Sequence, residues 1–149
     1  KKALVISPDL REPKYANFKL INIDEVAKNN HRAQILFDSE NPFFLRRIYH
    51  EFINGCVIFD DTKICIKPWN QRDFENIIGR RRQSNIDSIC MYHGFYRVPP
   101  FVWDYHTHLV LFKTLNNENT KDKTNLRRTG IVNTLALQNP YAKKIYQLI

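Results

Sequence analysis

The chain has 149 residues, 43% of them hydrophobic, 13% aromatic and 26% charged, with only four glycines, which excludes collagen-like, low-complexity and disordered classes and suits one folded domain. Lys and Arg number 23 against 15 Asp and Glu, a net charge of +8, so the surface favours polyanions, with nucleic acid as the default partner and an acidic protein as the other. No apolar run approaches the roughly 20 residues of a membrane span, and residues 1–9 lack the apolar core and cleavage site of a secretory leader.

Five short apolar runs rich in β-branched and aromatic residues predict strands: Ala3–Asp9, Ala33–Asp38, Cys56–Asp61, Asp87–His93 and His108–Lys113. Their hydrophobic residues fall on consecutive positions, as in strands buried on both faces of a parallel sheet with helices above and below. The predicted class is therefore α/β.

Between the second and third runs, Asn41–Ile53 has a proline near its start and Phe44, Leu45, Ile48, Phe52 and Ile53 at helical spacing. It stops at Asn54-Gly55, a fitting helix end. A second helix is expected over Asn70–Gly79, with Asn70 available as cap and Phe74, Ile77 and Ile78 on one side. Strand, helix, strand, helix, strand is the order that right-handed crossovers produce.

Two prolines make Arg97–Trp103 a turn followed at most by a short helix. Residues 116–130 are rich in Asn, Lys and Thr and read as a mobile loop. Residues 131–149 are expected to close the chain with a helix that starts at Pro140 and places Tyr141, Ile145 and Leu148 on one face. The expected organisation is a single domain over 1–149, with its core in 1–115.

Cys56, Cys65 and Cys90 cannot all pair and show no CxxC spacing, and Cys56 and Cys90 lie in strand-like runs where cysteine acts as a small hydrophobe. A reducing, cytoplasmic setting follows, and no zinc-ligand spacing is present. His106 and His108 would face one side of a strand, a metal-like spacing for which Asp104 is a nearby third candidate. Tyr92, Phe95, Tyr96, Phe101, Trp103 and Tyr105 crowd around Arg97. Exposed, these rings would stack on unpaired bases; buried, they would pack a core or a subunit contact.

The run Cys56–Asp61 ends in Asp60 and Asp61. A buried strand of four hydrophobes that delivers a carboxylate to the carboxyl edge of a parallel sheet is what a magnesium-bound nucleotide needs, and the second acid would then lie near attacking water. The competing role for such acids is to cap a turn. Arg80-Arg81-Arg82 is the densest charge run, suited to an arginine finger, to a DNA backbone, or to the dipole at a helix end. His93, at a strand end, could bond a phosphate or position water, or simply sit in a turn.

From about Ala3 to Thr114, about three quarters of the chain, the sequence resembles the additional-strand P-loop ATPases of the FtsK/HerA superfamily, including phage DNA-packaging and zonula occludens toxin-like assembly ATPases. Ala3–Asp9 is similar to the strand after the P-loop helix. Cys56–Asp61 is similar to the Walker B strand, with Asp61 where the family usually has Glu. Phe74–Arg82 is similar to the helix and arginine run that follows, and Ile89–Pro99 to the next strand and its loop, with His93 where Gln is common. The resemblance implies a RecA-like core and ATP and Mg2+ as cofactors. Asp60 would hold the magnesium shell, Asp61 orient water, His93 sense the γ-phosphate, and Arg80, Arg81 or Arg82 reach a neighbour's nucleotide. It also implies a homo-oligomeric ring that translocates DNA for viral or mobile-element packaging or extrusion, in the host cytoplasm or on a virion, with a capsid or membrane complex as partner. Arg80, Arg81, Arg82 and Arg97 would be the nucleic-acid contacts.

The sequence departs from the family in having no G-x-x-x-x-G-K-[ST]. Its glycines are Gly55, Gly79, Gly94 and Gly130, none before Lys-Ser or Lys-Thr. Either a strand, P-loop and helix lie upstream, or the chain is a degenerate, non-hydrolysing relative. A non-catalytic basic α/β subunit that is structural or binds nucleic acid is the alternative function. A nuclease is weaker, since no D…E-x-K spacing asks for it.

Overall fold

A computed structural model describes residues 2–79, 81–93, 97–112 and 144–148, and the chain divides into two compact units, Lys1–His93 and Gly94–Ile149. The first unit is built on a five-stranded, all-parallel sheet in the order β2-β3-β1-β4-β5. Its strands are β1 (Lys2–Ser7), β2 (Lys19–Leu20), β3 (Arg32–Leu36), β4 (Gly55–Phe59) and β5 (Ile86–Cys90). The fold is α/β.

β1 is the centre of the sheet because its sequence allows nothing else: Leu4, Val5, Ile6 and Ser7 are all buried, on both faces. Leu4 lies level with Ala33 on one side and Val57 on the other, and Ile6 level with Ile35 and Phe59. These six residues form one face of the sheet. α1 (Phe44–Glu51) joins β3 to β4, and α3 (Gln71–Gly79) lies between β4 and β5. The ring of Phe74 from α3 meets that of Phe59 edge-on, with centroids 4.8 Å apart. α1 packs against α3, and its Arg46 reaches Asp73 of α3 at 3.5 Å. The two longest helices thus share one face of the sheet.

On the other face, Val5, Ser7 and Gln34 are buried, but cover thins toward β5, where Cys56 and Ile58 are half-buried and Ile89 is 48% exposed. Strands buried on both faces are found at β1 and β3. In β4 and β5 burial alternates, as it does in strands with one solvated side.

At the opposite edge from the strand ends, Asn54 and Asn85 take left-handed backbone conformations at φ 58° and 51° immediately before β4 and β5. The Asn85 amide donates to Asn54 Oδ1 at 3.1 Å, and the backbone N–H of Asn54 donates to the Ser84 carbonyl at 3.0 Å. Asparagine is among the few side chains that tolerate this geometry. The helix stop expected at Asn54-Gly55 is therefore also the entry to a strand.

In the second unit, α5 (Pro100–Tyr105) opens on Pro99-Pro100, which fix the first turn without needing backbone donors. β6 (His108–Phe112) pairs in parallel with β7 (Lys144–Leu148), His108 level with Lys144. Two expectations are corrected here. The run at His108 forms a strand, but in a two-stranded sheet of its own, while the fifth strand of the main sheet is Lys19–Leu20. Residues Lys144–Leu148 form a strand, paired in parallel with β6, where a closing helix is expected, and Ile145 and Tyr146 are residue types that suit a pleat. The rest of that expected helix, and the loop at 116–130, lie outside the described residues.

Candidate functional site

The strand order reverses at β1: the chain moves from β1 to β3 on one side, then passes over to β4 on the other. The carboxyl ends of β1 and β4 therefore flank a topological switch point, where open α/β sheets collect their ligands. Ser7 ends β1 there, and Asp60 follows the last residue of β4.

Asp60 is held from several sides. Its backbone N–H donates to the Ile6 carbonyl at 2.9 Å, extending the β1–β4 ladder by one rung. The Ser7 hydroxyl lies 3.4 Å from Oδ2, and the Lys14 ammonium donates to Oδ1 at 3.1 Å. Only 7% of Asp60 is exposed, against 49% of the Lys14 side chain. Burial lowers the Lys14 pKa, but the hydrogen bond and charge of Asp60 outweigh it, and the net shift is upward. Burial raises the neighbouring Tyr15 phenol, and the charge of Asp60 adds to the rise. Ser7 also accepts from the Asp9 backbone N–H at 3.2 Å and donates to the Asp9 carbonyl at 2.6 Å, while the Gln34 amide donates to the same carbonyl at 3.2 Å. The loop leaving β1 is thereby pinned to the sheet.

Asp61 turns the other way. At φ 52° and ψ 65° it is left-handed, a conformation that aspartate, like asparagine, adopts more readily than most side chains, and it occupies the N-cap position of α2 (Thr62–Cys65) without a side-chain capping bond. The Thr62 N–H donates to the Met91 carbonyl at 2.9 Å, fixing the turn against the end of β5. His93 Nε2 lies 3.7 Å from Asp61 Oδ2, and its side chain is largely exposed. Asp60 thus faces the end of β1 and Asp61 the end of β5, with one backbone turn between them.

Burial pushes the Cys65 thiol up to about 12, with the charges of Asp61 and Asp60 adding to it, and burial alone takes Cys90 to about 12. Neither thiol is suited to nucleophilic work near neutral pH. The site's chemistry is that of carboxylates, a hydroxyl, an ammonium and an exposed imidazole.

Of the other sequence candidates, Arg80 lies outside the described residues, as does the side chain of Arg81. Arg82 is exposed on α4 (Arg81–Ser84), which leads into the amino end of β5. It sits at the opposite edge of the sheet from Asp60, a strand length of roughly 16 Å away. At that distance it does not reach Asp60 of its own chain. Arg97 is half-buried in the second unit, as are Phe101 and Trp103, whereas Tyr105 is exposed and Phe95 and Tyr96 lie outside the described residues. His106 Nδ1 is 2.5 Å from the Trp103 carbonyl and His108 Nδ1 is 3.0 Å from Thr107 Oγ1, so each imidazole is engaged locally. Among the described residues, no three His, Cys, Asp or Glu side chains gather as a metal cluster.

Sequence reasoning missed Lys14, Tyr15 and Gln34 as neighbours of the site. A separation of 46 residues between Lys14 and Asp60 leaves no local signal. A magnesium ion that keeps most of its water and binds nucleotide phosphates needs only one or two protein carboxylates. Asp60, with the Ser7 hydroxyl beside it, is a carboxylate of that kind, although the Lys14 ammonium already occupies its Oδ1 and would compete with a metal there. No protein-family model matches the chain, and neither curated proteins nor solved structures give a significant match.

Proposed function

We propose that this chain is the nucleotide-handling core of a DNA-translocating ATPase of the FtsK/HerA type, acting in a homo-oligomeric ring for viral or mobile-element packaging or extrusion. The observation that carries the reading is Asp60: a nearly buried carboxylate at the carboxyl end of β4, beside the switch point, with Ser7 next to it and Asp61 after it. The three strands with motif resemblance lie side by side as β1-β4-β5, so their ends converge. Asp60 would hold the magnesium of ATP, Asp61 would orient water, and His93, 3.7 Å from Asp61, would respond to the γ-phosphate. Arg82, with Arg80 and Arg81, would act on the neighbouring subunit, a role with which the far-edge position of Arg82 agrees. The phosphate-cradling loop would come from a further strand, for which the outer edge of β5 has no partner among the described residues.

Magnesium-dependent ATP binding and hydrolysis by the complete polypeptide test this. Asp60→Asn should abolish magnesium-dependent binding, and Asp61→Asn should slow hydrolysis roughly a hundredfold or more while leaving binding intact. A polypeptide that binds no nucleotide, or an Asp61→Asn variant that hydrolyses at the wild-type rate, would overturn it. A second reading, a non-catalytic basic α/β subunit that binds nucleic acid, is favoured by one observation: Lys14 already neutralises Asp60. Steep salt dependence of DNA binding with no effect of nucleotide would select it.

A further inference from the structure

The connection from β4 to α3 carries a surface that none of the motif residues account for. From Thr62 to Arg72 it contains three cations, Lys63, Lys67 and Arg72, and no acid. Lys63 and Arg72 are exposed and Lys67 half-buried, and none of the three pairs with a carboxylate among the described residues. In their midst Trp69 is 57% exposed and Ile64 43% exposed. Tryptophan is usually well buried, so leaving over half of an indole in water among unpaired cations is a feature to explain.

The indole is not on a loose loop. Asn70 is buried, accepts from the Lys67 backbone N–H at 2.8 Å and donates to the Cys65 carbonyl at 3.0 Å. Its own backbone N–H donates to the Lys67 carbonyl at 3.1 Å, and Pro68 restricts the turn further. Asn70, expected from sequence as a helix cap, thus serves as the lock of a tight turn that presents Trp69 outward. The acids at the start of α3 are engaged elsewhere, Glu75 by Gln71 at 2.8 Å and Asp73 by Arg46 at 3.5 Å. Gln71 does not cancel the charge of Glu75, but three cations against that one acid leave the turn net positive.

We propose that this turn is a docking site for single-stranded nucleic acid, with Trp69 stacking on an unpaired base and Lys63, Lys67 and Arg72 contacting phosphates. A rigid exposed ring among cations is what unpaired, sequence-tolerant binding uses. Duplex DNA offers the phosphates but keeps its bases stacked, and an acidic peptide would answer the cations without requiring the indole. The proposal deepens the DNA-binding part of the reading above but rests on this surface alone, so its test omits nucleotide.

The test measures anisotropy of a labelled oligothymidylate and of a duplex of equal length, with the full chain at several salt concentrations. Trp69→Ala should weaken the single strand about tenfold or more, and Trp69→Phe should retain most of the affinity. Replacing Lys63, Lys67 and Arg72 together by Ala should lower the slope of log affinity against log salt by about two. In a Trp103→Phe background the oligonucleotide should quench the remaining tryptophan fluorescence. Circular dichroism checks that each variant folds. Wild-type affinity in Trp69→Ala, or a duplex bound as tightly as the single strand, would overturn the proposal and leave the ATPase reading standing. So would self-association, seen by sedimentation, that Trp69→Ala abolishes. Failure of ATP binding would leave this result untouched.

Discussion

The Lys14 ammonium, half in water, lies 3.1 Å from a carboxylate oxygen of Asp60 that is nearly out of it. Two opposite effects meet in this pair. Removing one member of a fully buried pair strands its partner at a cost of about 3–5 kcal/mol, whereas an exposed pair is worth about 1 kcal/mol or less. The exposure of Lys14 decides for the second, because water can take the ammonium's place.

Lys14→Met should therefore lose no more than about 1 kcal/mol in urea unfolding. Since the folded pKa of Lys14 is raised, its contribution is present below the ordinary lysine value of 10.5 and is lost as pH rises through the folded value. Variant and wild type should converge in strongly alkaline buffer. If Asp60 holds a divalent cation, Lys14 competes with it, and Lys14→Met should bind Mn2+ more tightly by electron paramagnetic resonance titration. Equal Mn2+ affinity in the two proteins would remove Lys14 from the site.

Gly55 opens β4 where there is no room for a side chain. A Cβ there would lie 2.8 Å from Lys2 Cγ, 2.8 Å from Phe52 Cζ and 2.9 Å from the Lys2 carbonyl oxygen. The lysine stem can swing away, but the backbone oxygen and the buried Phe52 ring cannot. Gly55→Ala should cost about 1–3 kcal/mol in chemical denaturation, as overpacking does. A variant as stable as wild type would show that β1 and β4 are less tightly joined at this end.

Arg11 clamps Asp9 through its guanidinium, at 3.0 Å to Oδ1 and 2.9 Å to Oδ2, and through its backbone N–H at 2.9 Å to Oδ1. Together these hold the carboxyl down to about 2 from the ordinary 3.8. A depressed acid stabilises the fold above its unfolded value, and that contribution is lost as pH falls from 3.8 toward 2. Carbon-13 NMR titration should find the Asp9 midpoint near 2 in wild type. In Arg11→Ala it should move up, yet stay short of 3.8 because the backbone donor remains.

Much of the fold could be read from residue pattern alone. β1, β3, β4 and β5 overlap apolar runs too continuous for loops, each starting one residue before its run, and α1 and α3 lie within stretches of helical period. β2 left no such trace, because Lys19 and Leu20 are both exposed and the strand exists only through its pairing with β3. α2 is four residues set off by the left-handed Asp61, a conformation that pattern does not reveal. The position of Asp60 at a sheet edge followed from the run that ends in it, whereas its contacts with Ser7 and Lys14 depend on tertiary distance. The tail misled because Ile145 and Leu148 have helical spacing, whereas the strand depends on its pairing with β6, which no spacing reveals.

Asp61 combines a left-handed backbone with a half-buried carboxylate, and substitutions can separate the two. Its left-handed backbone costs an ordinary side chain about 1 kcal/mol or more, a cost that aspartate and asparagine share in reduced form and glycine does not incur. Asp61→Asn should unfold within about 0.5 kcal/mol of wild type. Asp61→Gly should match or exceed wild-type stability, unless the entropy of the unfolded glycine offsets the relief. Under the proposed function both variants lose hydrolysis, because the carboxylate facing His93 is gone in each. The checks are urea denaturation and ATP turnover on the same preparations. Stable variants without activity fit a strained residue kept for chemistry, whereas stability and turnover that fall together would make Asp61 a structural cap of α2.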